Sequence, residues 1–287
     1  MTNCLTAIPK LEALSPLVFR VLGCNPGSFT LQGTNTYLVG AGKEKILIDT
    51  GERGVDEYVR NLDLALNDHL KGARIKQIVC THWHHDHVGG VDELTKRHGN
   101  MDLRKFARAH GVQETFEPKI GVWKYLKDGE QLKIGGATLT TIFTPGHTDD
   151  HICLYLAEEE AVFSGDCMLG EGTAVFEDLF DYMQSLQKLT KLKMTKIYPG
   201  HGPVITNPRE RIDFYIAHRN ERERQILDAL TKANSEKSNN KRYLTVAEIV
   251  DFVYPGLDES LRCGAENNVL QHVKKLKKEG KISKYKN

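Results

Sequence analysis

The stretch Ile75-Lys-Gln-Ile-Val-Cys-Thr-His82-Trp-His84-His85-Asp86-His87-Val-Gly-Gly90 runs from an apolar strand into a loop crowded with metal-binding side chains, then into Gly-Gly ahead of a helical pattern. His82 and His84, two apart, can turn the same way in an extended loop and bind one metal. Asp86 and His87 follow after the chain has turned and can reach a second. Imidazole nitrogen and carboxylate oxygen suit Zn²⁺ at about 2.0–2.2 Å. Three more segments end apolar runs in a potential ligand: Thr144-Pro-Gly-His147, Phe163-Ser-Gly-Asp166 and Ile197-Tyr-Pro-Gly-His201. In each, a glycine immediately before the ligand lets the backbone pack closely beside it. The bland alternative for the first segment is a solvated histidine-rich tract.

The elements that must carry these residues are short. Alternating and apolar runs predict strands over Leu17–Leu22, Thr36–Gly40, Lys45–Asp49, Ile75–Cys80, Thr138–Phe143, Ile152–Leu156, Ala161–Ser164 and Lys196–Tyr198. Helical periodicity covers roughly Val55–Leu70, Gly89–His98, Tyr182–Leu192 and Arg209–Thr231. Strands interleaved with helices, opening on consecutive strands, suggest two mixed sheets packed together with helices outside. Periodicity alone does not choose this over a doubly wound sheet. The polar stretch Ala233–Lys241 reads as a linker. Beyond it, Thr245 followed by Glu248 is a capping-box pattern, a second helix spans Asn268–Lys278, and a short strand spans Lys281–Tyr285. Helices closed in this way resemble a small winged-helix module.

The 287 residues suffice for a large core, and 40% hydrophobic with 27% charged residues is ordinary for a globular chain. The net charge of +1 conceals an asymmetry: residues 241–287 carry ten Lys/Arg against six Asp/Glu, which leaves the remainder acidic. The six cysteines are scattered without C-x-x-C spacing, which reads as a reduced, intracellular chain. No apolar run approaches the roughly 18 residues of a membrane span, and the first twenty residues make a poor transit peptide.

Together the four ligand-bearing segments resemble the metallo-β-lactamase superfamily over about Val18 to His201. That resemblance implies an α/β fold, the αββα sandwich, in residues 1–232, with the winged-helix-like basic module in 241–287. It implies two Zn²⁺ ions: one on His82, His84 and His147, the other on Asp86, His87 and His201, with Asp166 bridging and a water or hydroxide between them as nucleophile. Zinc β-lactamases lack an aspartate equivalent to Asp166, whereas phosphodiesterase and thioesterase branches carry one, so antibiotic hydrolysis is disfavoured. His85 occupies a variable position and is expected not to bind metal. Cys167 should point away from the site, His151 should support it or start the next strand, and Asp49 should orient a histidine or form a turn. Thr34 and Asn35, in the loop Leu31–Thr36, are candidate substrate contacts.

More narrowly, Cys24-Asn-Pro-Gly, Thr30-Leu-Gln-Gly-Thr-Asn-Thr36, Thr144–His151, Gly165–Thr173 and the winged-helix tail resemble an animal group of mitochondrial endoribonucleases acting on single-stranded RNA. That resemblance implies phosphodiester hydrolysis by a metal-bound hydroxide, a mitochondrial matrix location (a cytoplasmic one being the alternative), and no membrane partner. Asp86 or a water would protonate the leaving oxygen. Lys274, Lys277, Lys278 and Lys281, near one face if the last helix reaches that far, would hold the phosphate backbone; the alternative is that they solvate a structural helix. The rival functions are a glyoxalase II-like thioesterase using the same ligands, and a nucleic-acid-binding protein with a vestigial hydrolase domain.

Overall fold

The computed structural model describes residues 5–235 and 244–282. Strands β1 (Leu11–Ala13), β2 (Val18–Leu22), β3 (Asn35–Val39), β4 (Glu44–Ile48), β5 (Arg74–Val79), β6 (Asp102–Phe106) and β7 (Trp123–Leu126) lie in that order in one sheet. It is antiparallel from β1 to β4 and parallel from β4 to β7. Strands β8 (Gln131–Ile134), β9 (Ala137–Phe143), β10 (Ile152–Leu156), β11 (Ala161–Gly165) and β12 (Lys196–Pro199) form the other, antiparallel except for the parallel β11–β12 pair. Helices are α1 (Asp56–Leu64), α2 (His85–Val88), α3 (Val91–His98), α4 (Leu179–Leu189), α5 (Pro208–Ser235), α6 (Val246–Val253) and α7 (Arg262–Lys278).

The sheets face one another across Tyr37, Ile46, Val79, Leu154, Phe163 and Tyr198. Outside the first sheet, Leu38, Leu47 and Ile78 pack on Tyr58 and Leu62 of α1 and Leu94 of α3. Outside the second, Val162 and Ile197 meet Leu186 of α4 and Ile212 and Tyr215 of α5. This is the αββα sandwich expected from the ligand-bearing segments. Covering both faces explains why the central strands read as unbroken apolar runs.

Four strands, β1 and β6 to β8, escaped periodicity. In Asp102-Leu-Arg-Lys-Phe106 the inward position after Leu103 is Lys105, only 1% exposed and paired with Glu114 at 2.7 Å and Asp150 at 3.0 Å. A buried, fully paired lysine reads in sequence as a polar break. The helix expected over Val55–Leu70 is α1 followed by a π-helical turn, Ala65–His69. Helix α4 starts earlier than expected because the Asp178 side chain caps it, accepting from the Asp181 N–H at 3.0 Å.

The capping box at Thr245 and Glu248 forms as read. Helix α7 begins at Arg262 rather than Asn268. Ile226 and Ala229 of α5 join Ile249, Val250, Val269 and Val273 in a separate core, so α5 serves both the sandwich and the C-terminal module. Residues 233–235 of the expected linker are helical. The rest of that linker, the wing strand beyond Ile282, Lys284 and Lys286 lie outside the described residues.

Candidate metal centre

Loops following β5, β9, β11 and β12 converge at one end of the sandwich. They bring together two groups of potential ligands: His82, His84, His147 and Asp166, and Asp86, His87 and His201. In the first, His82 Nε2 lies 3.0 Å from His84 Nδ1 and 3.2 Å from His147 Nε2, and the last two atoms are 3.1 Å apart. In the second, His87 Nε2 lies 3.2 Å from Asp86 Oδ2 and 3.4 Å from His201 Nε2, with His201 3.3 Å from Asp86. Asp166 sits between them, 3.5 Å from His87 through Oδ1 and 3.6 Å from His147 and 3.3 Å from His201 through Oδ2.

This arrangement fits metal ions. Four donors placed tetrahedrally about 2.0–2.1 Å from zinc stand about 3.3–3.4 Å apart, close to both triangles. Three imidazole nitrogens cannot satisfy one another with protons alone, since each contact needs one donor and one acceptor. Asp166 Oδ1 is buried without a hydrogen-bond partner, a cost that a cation removes.

Each histidine but one is aimed from behind. His82 Nδ1 is 3.0 Å from Thr81 Oγ1, His87 Nδ1 2.8 Å from Asp49 Oδ2, His147 Nδ1 2.8 Å from the Val175 carbonyl, and His201 Nδ1 3.4 Å from the Gly33 carbonyl. Such contacts set the tautomer and ring direction. His84 alone points inward through Nδ1. Close backbone approach is also required: a Cβ on Gly200 would meet Asp166 Oδ1 at 2.4 Å, and one on Gly146 would meet the Tyr182 nitrogen at 2.2 Å.

Electrostatics divides the two groups. Burial pushes the His82 imidazole well below its ordinary pKa, and His84 falls to about 4 for the same reason. These rings are neutral donors at pH 7. Burial alone would lower His87 and His201 as well. Instead Asp86, Asp49 and Asp166 hold His87 well above its usual value, and Asp166 and Asp86 raise His201 to about 9. The carboxylates call for positive charge here, which imidazolium or a divalent cation supplies.

The supporting residues fall where the chemistry needs them. Asp49 fills both expected roles: it takes a left-handed φ of 59° and it faces His87. His151 Nε2 accepts from the Asp166 N–H at 3.1 Å and its Nδ1 meets Thr144 Oγ1 at 2.9 Å. His85 turns outward to Glu52, 3.4 Å away, and Cys167 is buried in the core beneath α4.

Three expectations need correction. Asn35 is not a substrate contact: it is wholly buried, and its amide donates to the Pro199 and Gly202 carbonyls at 3.0 and 2.8 Å, pinning the His201 loop. Thr34 is equally buried and donates to Asp86 Oδ2 at 2.8 Å. Asp86 Oδ2 thus accepts from Thr34 and faces His87 and His201 at 3.2 and 3.3 Å, which is the placement of a metal-ligand carboxylate. The lysine face is not a uniformly free one. Lys278 lies 3.2 Å from Asp181 and over the Phe180 ring at 4.1 Å, and Lys281, beyond the end of α7, lies 2.8 Å from Glu223 and 2.9 Å from Glu279. Lys274 and Lys277 are exposed.

The metal-binding groups open on a cleft of about 660 Å³ lined by Phe29, Leu31, Trp83, Glu171, Thr173 and Val175 among others. Phe29 is 75% exposed and Val175 54% exposed at its rim. Sequence reading missed these wall residues. Trp83 was signalled by its place between His82 and His84, but nothing in the local pattern marks Phe29 or Val175.

A family model for the metallo-beta-lactamase superfamily matches residues 29–201, and one for a beta-lactamase associated winged helix domain matches residues 245–287. The chain belongs to the metallo-beta-lactamase superfamily, with a histidine–aspartate cluster suited to a metal. Beta-lactamase-like protein 2 homolog of Caenorhabditis elegans is 47% identical over 97% of this chain and 90% of its own length. A protein named as an atrochrysone carboxyl ACP thioesterase of Aspergillus novofumigatus is 38% identical over 97% of this chain and 84% of its own. Among solved structures, a metallo-beta-lactamase family protein from Thermus thermophilus superposes with a TM-score of 0.69 at 26% identity, covering 93% of this chain and 95% of that one. No helix among the described residues is long and apolar enough to cross a membrane.

Proposed function

We propose that this chain is a two-zinc hydrolase that cuts the phosphodiester backbone of single-stranded RNA internally. The observation that carries the hydrolytic reading is Asp166, whose two oxygens face the two ligand triangles at the floor of an open cleft. His82, His84 and His147 would hold one zinc, Asp86, His87 and His201 the other, and Asp166 both. Imidazole and carboxylate donors suit zinc and also iron; zinc is the metal that the sequence resemblance implies. When bound, a pair of such ions acidifies water and neutralises charge on the attacked group.

The protein's own part is positional. Thr81, Asp49, Val175 and Gly33 hold the imidazoles in direction, Thr34 holds Asp86, and His151 holds the Asp166 backbone. Phe29 and Trp83 offer aromatic faces beside the cleft, on which unpaired bases can stack whatever their identity. No lysine or arginine is among the residues lining it, so substrate charge would be met at the metals. The resemblance that points to RNA also favours the mitochondrial matrix, which fractionation of tagged protein would test.

The thioesterase reading has its own support: Leu31, Leu169, Ala174 and Val175 make one wall apolar, and a relative covering 97% of the chain is named as a thioesterase. The deciding experiment incubates purified, zinc-loaded protein with end-labelled single-stranded RNA and with an acyl thioester, each with and without chelator. Chelator-sensitive internal cuts in RNA are expected. Thioester turnover with intact RNA would replace the proposal by its rival, and RNA binding without turnover of either would favour a vestigial hydrolase.

A further inference from the structure

Between Asp166 and α4 the chain forms one wall of the cleft, contributing Leu169, Glu171, Gly172, Thr173, Ala174 and Val175. This wall has little regular structure of its own. It is held from outside by one face of α5, through residues spaced four apart. Arg211 donates to the Leu169 and Gly172 carbonyls at 2.9 and 2.8 Å, and the Tyr215 hydroxyl accepts from the Leu169 N–H at 3.1 Å. Arg219, one turn further, donates through Nη2 to the Ala174 carbonyl at 2.9 Å and lies over the Phe176 ring at 4.7 Å. It is only 4% exposed.

Arg219 thus grips the residues on either side of Val175, the residue whose carbonyl meets His147 Nδ1 at 2.8 Å. We infer that Arg219 is a positioning residue for the metal centre: by fixing the Ala174–Phe176 segment it sets the direction of the His147 ring and the tautomer that leaves Nε2 free. Among the described residues the Arg219 Nε is buried without a partner, so the Ala174 carbonyl and the Phe176 ring are what hold this buried guanidinium in place. The link also reaches the C-terminal module. The next turn of α5 places the Arg222 guanidinium 4.0 Å from the Tyr254 ring. Lys278 of α7 lies 3.7 Å from Asp178, whose backbone N–H donates to the Gly146 carbonyl beside His147 at 3.1 Å. The module thus packs against α5, which carries Arg219, and lies beside Asp178, which adjoins the loop before His147.

The inference rests on the metal reading, and the test separates the two. Zinc affinity of the full chain is measured by competition with a chromophoric chelator for wild type, Arg219→Met, Arg219→Lys and Arg211→Met, together with thermal midpoints. Wild type binding no stoichiometric zinc would remove the metal reading itself. With that reading intact, Arg219→Met should weaken one of two zinc equivalents about tenfold, within the range seen when an outer partner of a ligand is lost. Arg219→Lys, which keeps a donor for the Ala174 carbonyl, should recover most of it. Arg211→Met, which frees the same wall away from Val175, should leave both equivalents near wild type. Equal losses in the Arg211 and Arg219 variants would mean a merely structural clamp and overturn the assignment, as would wild-type affinity in Arg219→Met. Should Arg219→Met not fold, Phe176→Leu, which removes the ring beneath the guanidinium, is read by the same criterion: it must weaken the same single equivalent, and unchanged affinity overturns the assignment.

Discussion

Oδ2 of Asp49 lies 2.8 Å from Nδ1 of His87, with both residues at 1% exposure or less. The carboxylate is locked in turn, since Oδ1 accepts from the Thr81 N–H at 2.7 Å and Oδ2 from the Thr81 hydroxyl at 3.0 Å. One buried charge thus orients a histidine of one triangle and the backbone beside His82 of the other.

Asp49→Asn keeps the shape and loses the charge. Zinc affinity should fall by about 10–100-fold while circular dichroism stays near wild type. The check is zinc per chain after dialysis against graded chelator. Full retention at wild-type chelator concentrations would show that Asp49 serves the turn alone.

Asp166→Asn or His147→Ala should abolish hydrolysis of any substrate with the fold preserved, because each removes a donor that no neighbour replaces. Wild-type activity should disappear with chelator and return with zinc. Wild-type-like turnover from verified metal-free protein would end the two-metal account.

His85→Ala and Cys167→Ser should each retain activity within about tenfold, equivalent to about 1.4 kcal/mol of barrier. His85 faces Glu52 at the surface, and Cys167 faces the core. A loss matching His84→Ala, measured with metal content, would show that the ligand set has been misread.

Lys278→Gln with Lys281→Gln should loosen the C-terminal module and leave nucleic-acid affinity alone. Both side chains are about half exposed, at 47% and 48%, so each pair is worth at most about 1 kcal/mol after screening. The thermal midpoint should drop by a few degrees, roughly 2–4 °C per kcal/mol for a chain of this size. The slope of RNA affinity against salt should not change. A shallower slope would restore these lysines as phosphate contacts.

The module should also be acid-sensitive. His272 of α7 is wholly buried with both ring nitrogens unpartnered. Burial first, then the charges of Arg219, Lys275, Arg222 and His218, lowers its pKa to about 3. An unfolded histidine titrates near about 6.5, so the unfolded chain takes up the proton first. The stability tied to the neutral ring is complete above that pH and is lost progressively as pH falls toward about 3. His272→Leu should flatten the fall in thermal midpoint between pH 7 and pH 5. An undiminished fall in that variant would assign the acid sensitivity elsewhere.

The ligand set was legible in the sequence because each residue sits at the end of an apolar run, and metal coordination demands particular atom types at short spacing. The sandwich came with the resemblance that these segments carry, since continuous apolar strands fit a doubly wound sheet equally well. Tertiary structure alone decided what surrounds the ligands. Thr34 and Asn35 look like loop residues free to meet a substrate, but a register that pairs Asn35 with the Gly200 carbonyl turns them inward as braces. The basic tail looks like a phosphate-binding face, but Lys278 and Lys281 meet carboxylates of α4, α5 and the end of α7, most of them distant in sequence. The partners of His147 and Arg219 are backbone carbonyls, which every residue type carries, so no residue identity could signal them. Local pattern reports what an element buries and which atoms it offers; only the packed chain determines which of those atoms are already engaged.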